Sequence, residues 1–372
     1  MARHLVLVGA GHAHLAVLKA GAEFAARGHR VTLITPAPYF YYSGMGPGML
    51  SGRYSPPEVR FHVKKMAEDR KIAVLIDSVV QIDANRNLII CASGSRVEYD
   101  VVSFNVGSFV PQTTLAEPHP NVFSVKPVEN LFQARRRLLE LPQKEPRILV
   151  AGGGPAGFEI ACNLAMLFRV ERRSAQIVLA AGEMLLPRIP PRGRRLARRI
   201  LAERGIELRE GPLVRRLERE EAHLDTGEVM KHDVVFLAIG IKPSDLFRQS
   251  GLETGPDGGL MVNRFLQSTR YSNMFGAGDC IYFQPRPLDK VGVYAVREAP
   301  VLCRNLLAAL EGRELLAFRP QHNYLLIFNL GDGKGLLWRK NYAINGRLPF
   351  LLKERLDRGF MRRYQVSGER DQ

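Results

Sequence analysis

Short apolar runs alternate with helical stretches along most of the chain, and this alternation predicts an α/β fold with a mainly parallel sheet. Runs of aliphatic residues predict buried strands at His4–Val8, Arg147–Ala151 and 234–238. Near the end of the sequence, leucines and a phenylalanine recur every four residues, with arginine and lysine at other positions. This spacing predicts a basic amphipathic helix over 348–364.

Two of the predicted strands lead directly into glycine-rich turns, so the chain holds two copies of one strand–turn–helix design. In the second copy, Gly152, Gly154 and Gly157 fit the pattern G-x-G-x-x-G. The first glycine permits a tight turn, the second lets the backbone approach a pyrophosphate, and the third lets the helix pack on the strand. This copy predicts a dinucleotide site, and the alternative is a purely structural turn. Glu159 would face the cofactor or favour the helix start.

The first copy departs from the pattern at two positions. Gly9 and Gly11 are present, but His14 replaces the third glycine. Thr35 ends the next strand, where an acidic residue normally binds the adenosine ribose. A separate segment ends in Asp279, whose carboxylate can accept a hydrogen bond from a polyol hydroxyl, although a plain Gly-Asp turn is the alternative.

The form of the nicotinamide cofactor stays open. After the second turn, Ala181 lies about where an acidic residue would hold the ribose hydroxyls, and Glu183 follows two positions later. Arg188 and Arg192 are candidates to meet a 2′-phosphate. The pattern therefore predicts NADH or NADPH without choosing between them.

Composition limits the other possibilities. The 372 residues suit two or three domains, and no apolar run approaches the roughly 20 residues of a membrane span. The four cysteines form no C-x-x-C pair and no metal-ligand spacing, so we expect no disulfide framework, no metal and a cytoplasmic protein. The net charge of +16 suits an anionic partner or reflects solvated arginines, but no nucleic-acid motif accompanies it, and we expect no nucleic acid.

The motifs occur in an order that resembles a known family. They are Gly9-x-Gly11, Asn105-Val-Gly107-Ser, Gly152-x-Gly154-x-x-Gly157-x-Glu159, Ala238-Ile-Gly240 and Gly276-Ala-Gly-Asp279. In this order the chain resembles the pyridine nucleotide-disulfide oxidoreductases. Within them it looks most like type II NADH dehydrogenase-like proteins, including some fused to selenophosphate synthetase. That closer likeness rests on Gly11-His-Ala-His14, Tyr42-Ser-Gly-Met-Gly-Pro-Gly48, Gly292-Val-Tyr-Ala-Val-Arg-Glu298 and Leu356-Asp-Arg-Gly-Phe-Met-Arg-Arg363.

The resemblance implies two Rossmann-like three-layer domains, with the NAD(P) domain inserted in the FAD domain, and a small C-terminal α+β region. We expect the FAD domain at 1–120 and 266–317, the NAD(P) domain at 121–265, and the last region at 318–372, including the basic helix.

The resemblance also implies a role for particular residues. Those expected to contact FAD are Gly9, Gly11, His14, Thr35, Gly46, Pro47, Val80, Gly107, Gly278, Asp279 and Ala295. Those expected to contact the nicotinamide dinucleotide are Gly152, Gly154, Gly157, Glu159 and Gly240. Lys290 and Arg297 would lie on the acceptor side of the flavin and stabilise its reduced form.

The implied function is hydride transfer from NADH or NADPH to FAD, followed by electron transfer to a quinone or similar small acceptor. The redox cysteine pair of the disulfide reductases is missing from the sequence, so electrons would leave the flavin directly. The alternatives are a soluble reductase for a sulfur-linked, selenium-linked or protein acceptor, and a flavin-binding redox sensor with little turnover. The helix at 348–364 would either meet the cytoplasmic face of an acidic membrane or pack as core. A homodimer is left open.

Overall fold

Five parallel strands form the first sheet of the computed structural model, which describes residues 2–111, 119–340 and 342–368. In spatial order these strands are Met274–Gly276, Val101–Phe104, His4–Val8, Arg30–Thr35 and Ala73–Ile76. The strands are short and rich in aliphatic residues, as expected for a parallel sheet buried on both faces. The edge strand Met274–Gly276 comes from far along the chain and completes a sheet that the first hundred residues begin.

A second parallel sheet also has five strands. Along the sequence, these strands fall between the two parts of the chain that form the first sheet. Its strands, in spatial order, are Val122–Ser124, Val234–Leu237, Arg147–Ala151, Gln176–Gly182 and Ile206–Glu210. Each sheet has its glycine turn at the carboxyl end of a central strand, where ligands bind in open parallel sheets. This confirms the predicted class: an α/β protein with two Rossmann-like domains.

Smaller antiparallel sheets accompany the two parallel ones. Three of them have three strands each: Val79–Asp83, Leu88–Cys91 and Arg96–Glu98; Val214–Leu217, Glu221–Leu224 and Val229–Lys231; and Leu326–Asn329, Gly335–Arg339 and Tyr342–Gly346. Two-stranded pairs join Phe40–Tyr41 to Arg60–Phe61 and Ser108–Phe109 to Lys242–Pro243, and a parallel pair joins Leu260–Val262 to Ile281–Phe283. The pair at 108–109 and 242–243 marks where the chain crosses between the two Rossmann units.

The helices range from one turn to five. They are His14–Lys19, Gly21–Ala26, Gly46–Leu50, Pro56–Val59, Val63–Glu68, Asn130–Leu139, Pro155–Val170, Pro191–Glu203, Leu246–Gln249, Gly292–Glu311 and Arg347–Tyr364, with a short 3-10 helix at Gly278–Cys280. Gly292–Glu311 packs against both His14–Lys19 and the central strands of the first sheet.

The buried apolar residues form separate cores, which bear on the domain boundaries. The first core surrounds the first sheet and includes Leu246, Phe247 and Leu260. The predicted NAD(P) domain, at 121–265, contains these three residues, yet their side chains belong to the other core. We therefore propose that the chain returns to the FAD domain near residue 243. The predicted boundary at 120 adjoins residues 112–118, which lie outside the described residues.

The last helix, Arg347–Tyr364, has two different faces. Phe350, Met361 and Tyr364 are buried, whereas Leu348, Leu351, Leu352 and Leu356 are exposed. The sequence interpretation that the leucine stripe could be core is therefore wrong. Lys353 lies on the inner face, where it is buried and paired with Asp357 on the next turn of the helix.

Candidate active site

The first glycine turn is held against the strand beside it by one asparagine. Gly9 has a φ of +83°, and a Cβ there would lie 2.6 Å from the carbonyl oxygen of Asn105. A Cβ on Gly11 would meet the side-chain oxygen of Asn105 at 2.5 Å. The side-chain oxygen of Asn105 accepts a hydrogen bond from the backbone N–H of Ala13, and the side-chain nitrogen of Asn105 donates one to the carbonyl of Ala277. Asn105 therefore ties the turn to the segment that carries Asp279.

His14, the departure from the third glycine, supports the turn from within the core. Its Nδ1 lies 2.5 Å from the carbonyl oxygen of Gly9, and its Nε2 lies 2.8 Å from Oγ of Ser103. Burial lowers the pKa of this imidazole to about 4, so the ring is neutral and can donate at one nitrogen and accept at the other. Both nitrogens have partners within the protein, so His14 supports the turn from the core.

Asp279 lies at the turn after Gly278, at the junction of the two Rossmann units. Its Oδ2 accepts hydrogen bonds from Nζ of Lys126 at 2.5 Å and from Oγ of Ser108 at 2.8 Å. Although burial acts to raise it, the Lys126 ammonium holds the pKa of Asp279 below its usual range. Gly107, predicted at the crossing between domains, immediately precedes Ser108. The crossing strands thus bring a cation and a carboxylate together beside the first glycine turn.

The two predicted catalytic cations occupy different environments. Nζ of Lys290 lies 2.8 Å from Oδ2 of Asp257 and donates to the carbonyl of Ile281. Arg297 is exposed on the outer side of the helix Gly292–Glu311. The carboxylate of the next residue, Glu298, points inward and accepts a hydrogen bond from the backbone N–H of Gly278 at 2.6 Å. Burial raises the pKa of Glu298 to about 7.

The remaining residues predicted to contact FAD lie on several different elements. Gly46 and Pro47 are buried at the start of a short helix, and Ala295 is buried near Gly278. Thr35 is buried, and its hydroxyl donates to the carbonyl of Ala37. Val80 is half exposed on an antiparallel strand.

The second glycine turn shows how closely the helix after it approaches the sheet. Gly152 has a φ of +122°, and a Cβ there would lie 2.2 Å from the carbonyl oxygen of Ala238. A Cβ on Gly157 would lie 1.8 Å from the carbonyl oxygen of Gly152. A Cβ on Gly154 would have no neighbour within 4 Å. Gly154 precedes the 16-residue helix Pro155–Val170, so its open side faces the free N–H groups of a helix end. Gly240, also predicted to hold the nucleotide, lies in the turn just after Val234–Leu237.

The strand that would meet the adenosine ribose ends without an acid. Ala181 and Gly182 end the strand and are buried, and Glu183 follows as an exposed residue. Arg188, a candidate for a 2′-phosphate, forms an ion pair with Asp289, which lies in the predicted FAD domain. Arg192 is exposed at the start of the helix Pro191–Glu203.

A buried polar cluster connects the helix Pro155–Val170, which follows the second glycine turn, to the last helix, Arg347–Tyr364. Nζ of Lys353 donates to Oδ2 of Asp357 and to the carbonyl of Gly44, both at 2.7 Å. The hydroxyl of Tyr42 donates to the other oxygen of Asp357 at 3.0 Å. Although burial acts to lower it, Asp357 and Glu159 raise the pKa of Lys353.

Glu159 completes this cluster from the nucleotide side. Part of the residue is accessible, but its carboxylate is enclosed and accepts a hydrogen bond from the backbone N–H of Asn329 at 2.6 Å. Burial raises its pKa to about 7, against the opposing effect of Lys353. The cluster therefore holds two carboxyl groups and one ammonium, and Glu159 changes its protonation near neutral pH.

No metal was expected from the sequence. Within the described residues, Glu218, Glu221 and His223 bring potential ligand atoms within 4.8 Å of one another on a small antiparallel sheet. Exposed acidic groups often lie this close without an ion, and we assign no metal here.

Known proteins resemble both the sequence and the fold. Residues 3–299 match the profile of a family described as pyridine nucleotide-disulphide oxidoreductase. The chain belongs to the pyridine nucleotide-disulphide oxidoreductase family. Members of this family depend on FAD and on NADH or NADPH, as the two glycine turns predicted. Family membership thus confirms the resemblance drawn from the motifs.

Individual members of the family give the extent of the likeness. Ferroptosis suppressor protein 1 from Xenopus laevis is 28% identical over 273 residues, which is 69% of each chain. The human protein of the same name is 27% identical over 269 residues, again 69% of each. Among solved structures, the sulfide:quinone oxidoreductase from Aquifex aeolicus superposes with a TM-score of 0.81 at 16% identity, covering 98% of this chain and 92% of its own.

A second solved structure, NDH2 from Plasmodium falciparum in complex with NADH, has a TM-score of 0.80 at 15% identity and covers 99% of this chain and 98% of its own. At this level of identity, these two structures show a shared fold. Both align along almost the whole of this chain, including the small sheet and helix after residue 318.

Several polar residues of the site were not among the predicted ones, and they include Asn105, Lys126, Glu298 and Lys353. Asn105 and Glu298 lie inside the quoted family motifs, so their positions were available, but nothing in the spacing indicated a hydrogen-bonding role. Lys126 and Lys353 lie outside every motif. Lys126 meets Asp279 across 153 residues of sequence, a contact that no local pattern predicts.

Proposed function

We propose that this protein is an FAD-dependent NAD(P)H dehydrogenase that passes electrons to a quinone. The observation that carries the proposal is the last helix. Its outer face exposes four leucines, and its inner face contacts the Tyr42–Gly44 segment just before Gly46 and Pro47, which the resemblance places at the flavin. A lipid-soluble acceptor would thus find an apolar surface close to the flavin.

The residues present fit the two cofactors. Backbone packs so tightly at Gly9 and Gly152 that a single Cβ would collide with a carbonyl oxygen, whereas Gly154 stays open for a phosphate. Asp279 and Lys126 supply a carboxylate and a cation beside the first turn. FAD supplies the hydride and electron chemistry when bound, and the protein supplies binding, orientation and charge.

The cysteines offer no route for a dithiol reductase. All four are described and free, and Cys91, Cys162 and Cys280 are buried. Burial raises the pKa of both Cys162 and Cys280 to about 12, so neither forms a thiolate near neutral pH. This supports a small acceptor that takes electrons without a protein disulfide.

Reduction of a quinone to a quinol also consumes protons, and the cluster around Glu159 can hold one. With a pKa of about 7, the Glu159 carboxyl is about half protonated at neutral pH. Lys353 and Asp357 lie between it and the Tyr42 hydroxyl, so the cluster extends toward the flavin-side loop. We propose that Glu159 holds this proton on its carboxylate oxygen.

The decisive experiment follows the absorbance of the purified protein during anaerobic addition of NADH or NADPH, followed by a soluble quinone. The proposal expects flavin bands that bleach with the nucleotide and return with the quinone. A protein that stays colourless after incubation with FAD would overturn the FAD assignment. A yellow protein that bleaches but does not recover with the quinone would overturn the acceptor.

The exposed leucines also suggest an acidic membrane as the partner. Leu348 is 79% exposed, and Tyr342 of the neighbouring strand is 75% exposed. Arg347, Arg355, Arg362 and Arg363 are exposed on the same helix. Apolar and basic side chains on one surface are typical of helices that lie in the headgroup region of an acidic bilayer. No helix among the described residues is both long enough and apolar enough to span a bilayer.

The magnitudes agree with peripheral binding. A fully buried leucine contributes about 1.5–3 kcal/mol, so the exposed parts of four leucines contribute about 3–7 kcal/mol. Each arginine near an acidic surface adds about 1 kcal/mol. Charge alone therefore gives weak binding, and the leucines are needed to approach a micromolar dissociation constant.

We expect the double substitution Leu348→Ser and Leu351→Ser to remove most of the binding to vesicles that contain phosphatidylserine, measured by flotation. Both side chains are exposed, so the variant should fold and keep its turnover with a water-soluble quinone. Leu316→Ser, at another exposed leucine, is the matched control and should float like the wild type. Equal flotation of all three proteins would exclude this surface as the membrane contact.

A further inference from the structure

His12, between the first glycine turn and the last helix, has a ring that no described residue hydrogen-bonds. Its Nε2 is buried and lacks a partner. The ring lies among aromatic side chains, with centroids 5.0 Å from Phe40, 5.4 Å from Tyr42 and 5.9 Å from Phe360. A buried polar nitrogen without a partner is costly, so such an atom indicates a missing hydrogen-bond partner.

Three segments of the chain meet beside this nitrogen. A Cβ built on Gly292 would lie 3.7 Å from both Nε2 and Cε1 of His12, and 3.7 Å from Oγ of Ser43. These are ordinary van der Waals distances, so the backbone of Gly292 lies close to both polar groups. The imidazole nitrogen of His12 and the hydroxyl of Ser43 thus lie together beside the start of the helix Gly292–Glu311.

Each of these three segments also carries a residue predicted to contact FAD. His12 follows Gly11 in the first glycine turn, and Ser43 precedes Gly46 and Pro47. Gly292 starts the helix that carries Ala295, and no side chain caps this helix end. The free N–H groups and partial positive charge of such an end favour an electron-rich group.

We propose that His12 and Ser43 hold the carbonyl-bearing edge of the flavin ring and stabilise its reduced form. The inference rests on the FAD dependence in the proposed function, but not on the identity of the acceptor. Reduced flavin carries negative charge at this edge, and fixed donors near developing charge stabilise it. Burial lowers the pKa of His12 to about 4, although Asp279 opposes the effect, so the ring is neutral and donates from Nε2 in one tautomer.

In this proposal His12 and Ser43 stabilise the reduced flavin, a role that the sequence resemblance gave to Lys290 and Arg297. Lys290 is occupied by Asp257 and the Ile281 carbonyl, and Arg297 is exposed on the outer side of its helix. His12 and Ser43, the donors beside the start of the helix Gly292–Glu311, are uncharged and belong to the segment between the first glycine turn and Gly46.

The test is the midpoint potential of the bound flavin, measured by spectroelectrochemistry, together with the dissociation constant of oxidised FAD. His12→Phe keeps a ring against Phe40, Tyr42 and Phe360 but removes both nitrogens. We expect reduced flavin to bind about tenfold more weakly relative to oxidised flavin, which lowers the potential by about 30 mV. Ser43→Ala should shift it in the same direction, and His12→Gln, which retains a donor, should recover part of the shift.

His322→Phe, at an exposed histidine, is the control and should leave the potential unchanged. An unchanged potential in both His12→Phe and Ser43→Ala would overturn the inference. The inference would also be overturned if His12→Phe bound quinone more weakly, as measured by calorimetry, while the flavin potential stayed the same. His12 would then contact the acceptor. A wild-type protein whose flavin is reduced by NADH but does not react with quinone would contradict the proposed acceptor and leave this test intact.

Discussion

Replacing Lys353 with Met is expected to lower the free energy of unfolding by about 3–5 kcal/mol, because the substitution leaves a buried carboxylate without its cation. Asp357 would keep only the Tyr42 hydroxyl, and the Gly44 carbonyl would lose its donor. The Glu159 carboxyl would also lose the charge that opposes the burial effect on its pKa. The measurement is urea unfolding at neutral pH, followed by circular dichroism.

The double variant Lys353→Met with Asp357→Leu separates the ion pair from the packing of the lysine stem. Since it removes both buried charges, it should recover most of the lost stability. A second control, Lys334→Met, removes an exposed lysine that contributes little. A free energy of unfolding of Lys353→Met within about 1 kcal/mol of the wild-type value would show that the ion pair is accessible to solvent and that the last helix does not bury it.

The second large effect is expected at Gly157, where alanine should abolish measurable binding of the nicotinamide nucleotide and destabilise the second Rossmann unit. The added Cβ would lie 1.8 Å from the carbonyl oxygen of Gly152, so the helix and the turn must separate. Overpacking of this kind costs about 1–3 kcal/mol, and the separation moves the N–H groups that would hold the pyrophosphate. Isothermal titration with NADH and NADPH measures the loss.

Two other glycines sharpen this prediction. Gly154→Ala places a Cβ in open space, so it should keep the stability of the wild type while weakening nucleotide binding. Gly359→Ala, within the last helix and also in open space, should leave binding unchanged and add about 0.5–1 kcal/mol of stability. Normal nucleotide affinity in both Gly154→Ala and Gly157→Ala would show that this turn is structural only.

Most of the architecture could be predicted because it depends on local patterns. The strands His4–Val8 and Arg147–Ala151 are apolar runs that end at glycines, and the structure confirms their bounds. The strand Tyr342–Gly346 was missed because it is largely exposed and carries no apolar alternation. The return of 246–262 to the first core was also missed, since tertiary packing and not composition decides it.

The site was harder to predict because its polar contacts join distant segments. Asp279 was predicted from the glycines around it, but its partner Lys126 was not. On the last helix, periodicity gave the correct helix but could not decide which of its faces packs on the protein. A charged residue such as Lys353 normally faces water and a leucine such as Leu348 normally faces the core, and here both are reversed. Asp357 one turn later and the carbonyl of Gly44 account for the burial of Lys353.

The order of strands in the first sheet has a consequence for synthesis on the ribosome. Val101–Phe104 needs Met274–Gly276 as its neighbour, and that strand is made 172 residues later, after roughly 10 to 30 s of translation. All five strands of the second sheet emerge during this interval. The nucleotide-binding unit can therefore fold first, while the nascent flavin unit keeps an unpaired strand edge, which is a target for chaperones and the step most prone to aggregation.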